Sequence, residues 1–308
     1  MTWVAWRLQR TELLITAAIL ALLAALLVPT GIHMANAYHD AGLSSCVGAF
    51  KGSACGQQIG DFQVRFEGLS HLTDLFTILP GLIGVLLAAP FIFDLEHGTY
   101  RLAWTQSVTR RRWLVGKLAV PIAAGILAAA ALIGLMTWWH VPGVHLNGRL
   151  DTGIYDSEGT VAIGYTLFAL GLALALGAVW RRAAASISVA FVAYFAMRIF
   201  VDTWLRDRLV SPLKISWRGE EPHVLSTAKI VSENVFGPAH VKVAGGGPIS
   251  GHAQLGIPGG PGGGPLVETV YHPASHFWPL QLTETGLFLG LAVLLIGFAA
   301  WWTHERTV

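Results

Sequence analysis

The sequence predicts an all-α polytopic membrane protein with six transmembrane helices, and three observations carry that prediction. Charged residues make up 12% of the 308-residue chain and apolar residues 54%, whereas a soluble domain carries roughly 25% charged residues. Six apolar stretches each approach the about 20 residues that one helical crossing requires. Tryptophans fall at the ends of those stretches, where an amphipathic indole ring prefers to sit.

The crossings are Leu13 to Ile32, Leu75 to Phe93, Leu118 to Trp139, Thr160 to Trp180, Ala183 to Val201 and Phe277 to Trp302. Trp138, Trp139, Trp180, Trp204, Trp278, Trp301 and Trp302 mark their limits. An even number of crossings puts both termini on one side. That side collects Arg7, Arg10, Arg101, Arg110, Arg111, Arg112, Lys117, Arg181, Arg182 and Arg306, while the opposite short loops carry only Lys51, Arg65 and Arg149. Basic residues in short loops favour the cytoplasm, so both termini are expected inside. A cleavable leader ending at Ala35-Asn36-Ala37 competes with a retained first helix. The apolar run of about 20 residues exceeds the usual leader core and favours retention.

Cys46 and Cys55 are the only cysteines. Both fall in the first external loop, at a spacing that permits closure in an oxidising compartment, and a structural disulfide is the favoured reading over free thiols. The loop from 202 to 276 is external and too long for a simple connector. Trp204 to Phe236 admits short helices or strands. Gly245 to Pro265 holds ten glycines and four prolines in 21 residues and is expected to be extended or disordered, since such a composition builds no packed core. No Lys-Ser or Lys-Thr follows those glycines, so a phosphate cradle is excluded there. Most histidines lie outside the crossings, His272 and His276 among them, but none forms a tight ligand motif, and no metal site is expected. A basic patch or zinc-finger spacing is missing from the sequence, which argues against a nucleic-acid partner.

Two ionisable side chains interrupt apolar crossings. Arg198 precedes Trp204 by six residues and Glu284 follows Trp278 by six. Each therefore lies about 9 Å below its tryptophan, at one shared depth. An unpaired charge near the bilayer centre costs about 2.5–3.5 kcal/mol on insertion scales, so the two are expected to pair. Asp202, one turn beyond Arg198, is a rival partner. Such a pair reads either as a static tie between the fifth and sixth crossings or as an outer gate.

The segment from Phe93 to Lys117 is charged and amphipathic between two crossings. Leu95 and Leu102 lie seven residues apart and Tyr100 and Trp104 four apart, which puts an apolar face beside Glu96 and Arg101 on a short surface helix. Gly98 permits a sharp turn after the second crossing. Glu96, Gly98-Thr99, Arg101, Gln106-Ser107-Val108-Thr109-Arg110 and Trp113-Leu114 with Gly116-Lys117 resemble the first coupling helix of ABC-2-type ABC transporter permeases in their actinobacterial form. Supporting matches are Arg181-Arg182, Arg198, Arg206, and His272-Pro-Ala-Ser-His-Phe-Trp-Pro279 with Gln281 and Glu284.

The resemblance implies one ABC-2-type transmembrane domain over residues 1–308, in a bacterial plasma membrane, paired with a second permease subunit in a homo- or heterodimer. It further implies a separate ABC ATPase subunit that binds ATP and Mg and docks on Glu96, Gly98, Thr99, Arg101, Trp104 and Arg110. The chain contains no G-x-x-x-x-G-K-[ST] sequence, so no cofactor and no catalysis are expected in it. The expected function is export of a hydrophobic or amphipathic substrate. The alternatives are a polytopic membrane enzyme with an external histidine-based metal site, and a sensor subunit that transports nothing.

Overall fold

A computed structural model describes residues 2–46, 54–100, 109–218, 222–236, 242–245 and 266–306. Ten helices fall within them: α1 (Thr2–Asp40), α2 (Ala54–Phe76), α3 (Leu79–Glu96), α4 (Arg110–Trp139), α5 (Val141–Asn147), α6 (Thr152–Ser157), α7 (Val161–Trp180), α8 (Ala183–Phe200), α9 (Arg206–Leu209) and α10 (Phe277–Arg306). Six spans are long and apolar enough to cross a membrane, on α1, α3, α4, α7, α8 continued through α9, and α10. The predicted fold class therefore stands; α1, α4 and α10 run longer than the apolar stretches outline, and the second crossing begins at Leu79, because Leu75 belongs to α2. α1 has 39 residues, about 58 Å of helix, so it projects beyond a hydrocarbon core of about 30 Å. α2, in the first external loop of the sequence reading, is an addition that reading lacked.

The bundle is built around α7. Of its membrane-crossing window 83% is buried, against 17% for α1, so α7 is the central post and α1 lies at the periphery of the chain. Small residues make that burial possible, because helices in lipid associate through close packing and not through a hydrophobic drive. A Cβ on Gly84 of α3 would sit 2.3 Å from the Thr166 carbonyl oxygen of α7, and one on Gly171 of α7 would sit 3.1 Å from the Ala292 carbonyl oxygen of α10. Edge-to-face rings fill the space beside these contacts. Tyr165 meets Phe288 at 4.8 Å between centroids, and Phe168 meets Phe288 at 5.3 Å.

Beyond α9 the chain forms an antiparallel four-stranded sheet of order β1-β4-β2-β3, with β1 (Leu213–Arg218), β2 (Lys229–Phe236), β3 (Lys242–Gly245) and β4 (Leu266–His272). The central strand β4 pairs Ile215 with Thr269 on one side and Val235 with Val267 on the other. Val235, Val267 and Thr269 are buried, which gives the sheet a covered face. The loop thus uses the strand option its sequence left open. The glycine- and proline-rich stretch after Gly245 lies outside the described residues.

Candidate functional site

The ends of the bundle carry two distinct polar constructions. At the sheet end, four ionised side chains meet in a buried cluster: Asp156 of α6, Arg198 of α8, Arg206 of α9 and Glu284 of α10. Arg198 Nη2 donates to Asp156 Oδ2 at 2.6 Å, and Arg206 Nη2 donates to Asp156 Oδ1 at 2.6 Å. Arg206 Nε donates to Glu284 Oε2 at 3.0 Å and its Nη2 to Glu284 Oε1 at 3.2 Å. The Tyr155 hydroxyl donates to Glu284 Oε2 at 3.1 Å, and the Tyr165 hydroxyl donates to Glu284 Oε1. The guanidinium carbons of Arg198 and Arg206 stand over the rings of Tyr165 and Tyr155, 3.7 and 4.4 Å from the centroids.

Glu284 and Arg206 are 0% and 2% exposed. Two cations facing two anions, with hydroxyls on the remaining lone pairs, is the composition a low-dielectric site tolerates, because each charge loses its water only where a partner replaces it. Burial alone would raise the Asp156 carboxyl, and the adjoining Arg198 and Arg206 guanidinium groups overcome it and hold the carboxyl below its usual range. The Tyr155 hydroxyl is pushed up by burial and then by the negative Glu284 beside it, which keeps it a donor.

Local backbone geometry explains why Arg206 reaches the cluster. The helix of α8 passes through a π-helical turn, Val201–Leu205, before α9. A turn of that kind absorbs about one extra residue, so the eight positions from Arg198 to Arg206 count as about seven, or close to two α-helical turns of 3.6. Both side chains therefore point inward. Gln281, 0% exposed, fixes the other wall. Its Oε1 accepts from Val161 N at 3.0 Å, and its Nε2 donates to the carbonyls of Tyr155 at 2.8 Å and Glu158 at 3.1 Å. It satisfies one orphan amide of α7 and pins the turn that presents Asp156.

The sequence-predicted trio is rearranged. Arg198 Nη1 and Glu284 Oε1 approach to 3.9 Å, but the closest acid to Arg198 is Asp156. Asp202 serves Arg206 and not Arg198. Asp156, Arg206, Tyr155 and Tyr165 complete the cluster and were not among the predicted site residues.

Beside the cluster is a second buried pair. His140 Nδ1, at the junction of α4 and α5, lies 3.7 Å from Glu158 Oε1, between α6 and α7, with both side chains 4% exposed. Both ring nitrogens of His140 and the Oε1 of Glu158 lack a hydrogen-bond partner. Arg149 Nε, 3.9 Å from Glu158 Oε2, is the adjoining cation. Burial lowers His140 to about 4, and burial raises Glu158 to about 7 against the smaller opposing pull of Arg149.

At the opposite end, which gathers the chain termini, α3 is tied to two other helices. Lys117 Nζ of α4 lies 2.5 Å from Asp94 Oδ2, and the Thr99 hydroxyl donates to Asp94 Oδ1 at 2.9 Å. Ala183 N, the first amide of α8, donates to Glu96 Oε2 at 3.1 Å. A carboxylate on a helix N-terminus satisfies an orphan amide and meets the positive end of the helix dipole. Gly98 adopts φ +69° and Arg181 φ +53°; the first opens the turn after α3, and the second closes the two-residue link between α7 and α8. Arg110 Nη1 donates to the His304 carbonyl at 3.5 Å. Arg101 and Trp104 lie outside the described residues. Cys55 is disulfide-bonded, and the side chain of Cys46 lies outside the described residues.

Among the described residues no three His, Cys, Asp or Glu side chains group as metal ligands. His272 and His276 instead face each other through their Nδ1 atoms at 3.1 Å.

Six helices long and apolar enough to cross a membrane, packed around a small-residue core, define a multi-pass membrane protein, in bacteria a plasma-membrane component. The family described as ABC-2 membrane transporter related matches residues 17–206, more than half of the chain. The chain belongs to that family and is a transporter permease. No curated protein and no solved structure gives a significant match.

Proposed function

We propose that this permease is the membrane-spanning subunit of an ATP-driven exporter whose ATPase is a separate polypeptide docking on the segment from Gly98 to Arg110. A second permease subunit completes the assembly, and ATP and Mg belong to the ATPase. Hydrophobic or amphipathic cargo suits a bundle whose crossings are apolar on most of their faces.

The observation that carries this reading is the tie at the terminal end. Glu96 holds the first amide of α8 and Asp94 meets Lys117 of α4, so a push on the segment following α3 reaches three helices together. α8 then delivers that displacement to the far end, where Arg198 sits in the buried cluster. The arrangement suits rigid-body switching, in which a packed unit moves between discrete positions. Arg198, Asp202 and Glu284, joined by Asp156 and Arg206, act here as the outer clasp that opens when α8 shifts. Within this reading Glu96 is a transmission residue and not a direct ATPase contact.

The test is ATP-dependent flux in sealed vesicles containing the permease and its ATPase. Glu96→Ala removes a helix-capping acceptor worth about 1 kcal/mol, equivalent to about fivefold in an equilibrium. The expected result is a several-fold loss of flux per ATP hydrolysed, with ATPase binding retained. Unchanged flux per ATP would remove Glu96 from the transmission path. A fully active ATPase with no ATP-dependent flux in wild-type vesicles would overturn transport by this assembly.

A further inference from the structure

At the sheet end, a cavity of about 560 Å³ lies between the C-terminal third of α1 and the middle of α2. Along α1, residues 22, 26, 29, 33, 36 and 40 recur at spacings of four and three and therefore share one face. Their chemistry changes along that face. Leu22 and Leu26 are exposed apolar residues, Pro29 begins the cavity wall, and His33, Asn36 and Asp40 line it further on. The change falls in the C-terminal third of the apolar span Gln9–Asp40. An amphiphile with its chain along Leu22 and Leu26 would place its headgroup among the polar residues.

The opposite wall supplies Arg65 of α2. Its guanidinium carbon stands 5.6 Å from the centroid of the Phe66 ring, and Phe66 packs edge-on against His33 at 5.8 Å. Aromatic contacts thus hold the cation in place. Arg65 and Asp40 line one cavity, yet they make no ion pair with each other or with any other described residue. Opposite charges held apart across a groove suit a zwitterion, whose anionic and cationic groups meet both at once. A ligand with a phosphate alone would leave Asp40 facing it with like charge.

We propose that this groove binds a zwitterionic phospholipid of the phosphoethanolamine type, its phosphate on Arg65, its ammonium on Asp40 and one acyl chain along Leu22 and Leu26. The Arg65 guanidinium presents several donors to phosphate oxygens, and Asp40 accepts from the ammonium. The site is peripheral to the buried cluster, and its occupancy is independent of whether the assembly exports anything.

The test is native mass spectrometry of the full chain, delipidated in detergent and titrated with dihexanoyl-phosphatidylethanolamine, dihexanoyl-phosphatidylglycerol and free phosphoethanolamine. The wild-type protein is expected to retain the ethanolamine lipid in preference to both others. Arg65→Gln and Asp40→Asn should each weaken it about tenfold, the effect of one charge-assisted hydrogen bond, and Asp40→Asn should also erase the preference over the glycerol lipid. Equal retention of both lipids by the wild-type protein would overturn the proposal without recourse to any variant. So would equal affinity in all three proteins, or free phosphoethanolamine binding as tightly as the lipid. Both substituted residues are exposed, so the unfolding temperature of the delipidated variants serves as the folding control.

Discussion

The buried pair of His140 and Glu158 makes a prediction in which two opposing proton linkages nearly cancel in the natural protein and separate on substitution. The ordinary values are 6.5 and 4.5, and in the fold they become about 4 and about 7. Between pH 4.5 and 6.5 the unfolded chain therefore carries its proton on His140, while the folded chain carries one on Glu158. Both states hold one proton, so stability has little slope from this pair. Glu158→Gln leaves the histidine linkage alone: the unfolded state then binds more protons than the folded one, and stability rises with pH across the window. His140→Phe leaves the carboxyl linkage alone: the folded state binds more, and stability falls as pH rises. Over two pH units each isolated linkage amounts to at most about 3 kcal/mol, and to less for Glu158, which Arg149 and nearby solvent screen. The assay is thermal or denaturant unfolding in detergent followed by tryptophan fluorescence, with each variant compared with the wild type at matched pH so that other titrations cancel. Parallel pH profiles for the three proteins would refute the reasoning.

Inside the cluster, Arg206→Met removes the shared cation from between Asp156 and Glu284 and should destabilise by about 3–5 kcal/mol, the cost of leaving buried charge unpaired. Asp202→Asn, at a partly exposed partner of the same guanidinium, should cost under about 1 kcal/mol; equal shifts in unfolding temperature would contradict the assigned hierarchy. Gly84→Leu drives a Cβ into the backbone of α7 and should cost about 1–3 kcal/mol or more through overpacking. Gly290→Leu on α10, where a Cβ meets nothing within 4 Å, should be neutral or stabilising, so a comparable loss there would count against the packing account.

The crossings were readable because apolar length is a direct statement about solvent: a run of about 20 residues without water-seeking groups has few other places to go. Arg198 and Glu284 were readable for the complementary reason, each being a charge where a charge is costly. Asp156 carried no such signal. It stands in a polar stretch with Asp151 and Glu158, where an acid looks solvated, and only the fold brings it against Arg198 of α8 and Arg206 of α9. Arg206 was obscured by Trp204, which marks a membrane boundary by composition, whereas the π-helical turn continues the span to Leu209 and turns Trp204 outward, 63% exposed. A one-residue change of helical register is invisible to apolar periodicity. The histidines offered no tight ligand motif, and nothing in their spacing foretold that His272 and His276 would face each other, each with one ring nitrogen committed to the other.

The two polar constructions gain their meaning from the helix between them. α8 begins with an amide held by Glu96 and ends beside a guanidinium held by Asp156, and both anchors lie on other elements, α3 and α6. A helix fixed only by apolar packing can slide by small steps, because dispersion contacts are numerous and individually weak. Hydrogen bonds at both ends remove that freedom: displacement costs about 1 kcal/mol at the Glu96 cap and several kcal/mol where Arg198 would be left buried and unpaired. Motion of α8 is therefore concentrated into states in which its terminal contacts are either made or exchanged. The central post α7 is also held at its N-terminal end, by Gln281 and Glu284 of α10, and in addition by close backbone approaches at Gly84 and Gly171. The proposed coupling therefore predicts that α8 with its π-helical extension shifts against α7 during transport. Crosslinks joining α8 to α7 should arrest flux where crosslinks joining α7 to α10 leave it intact.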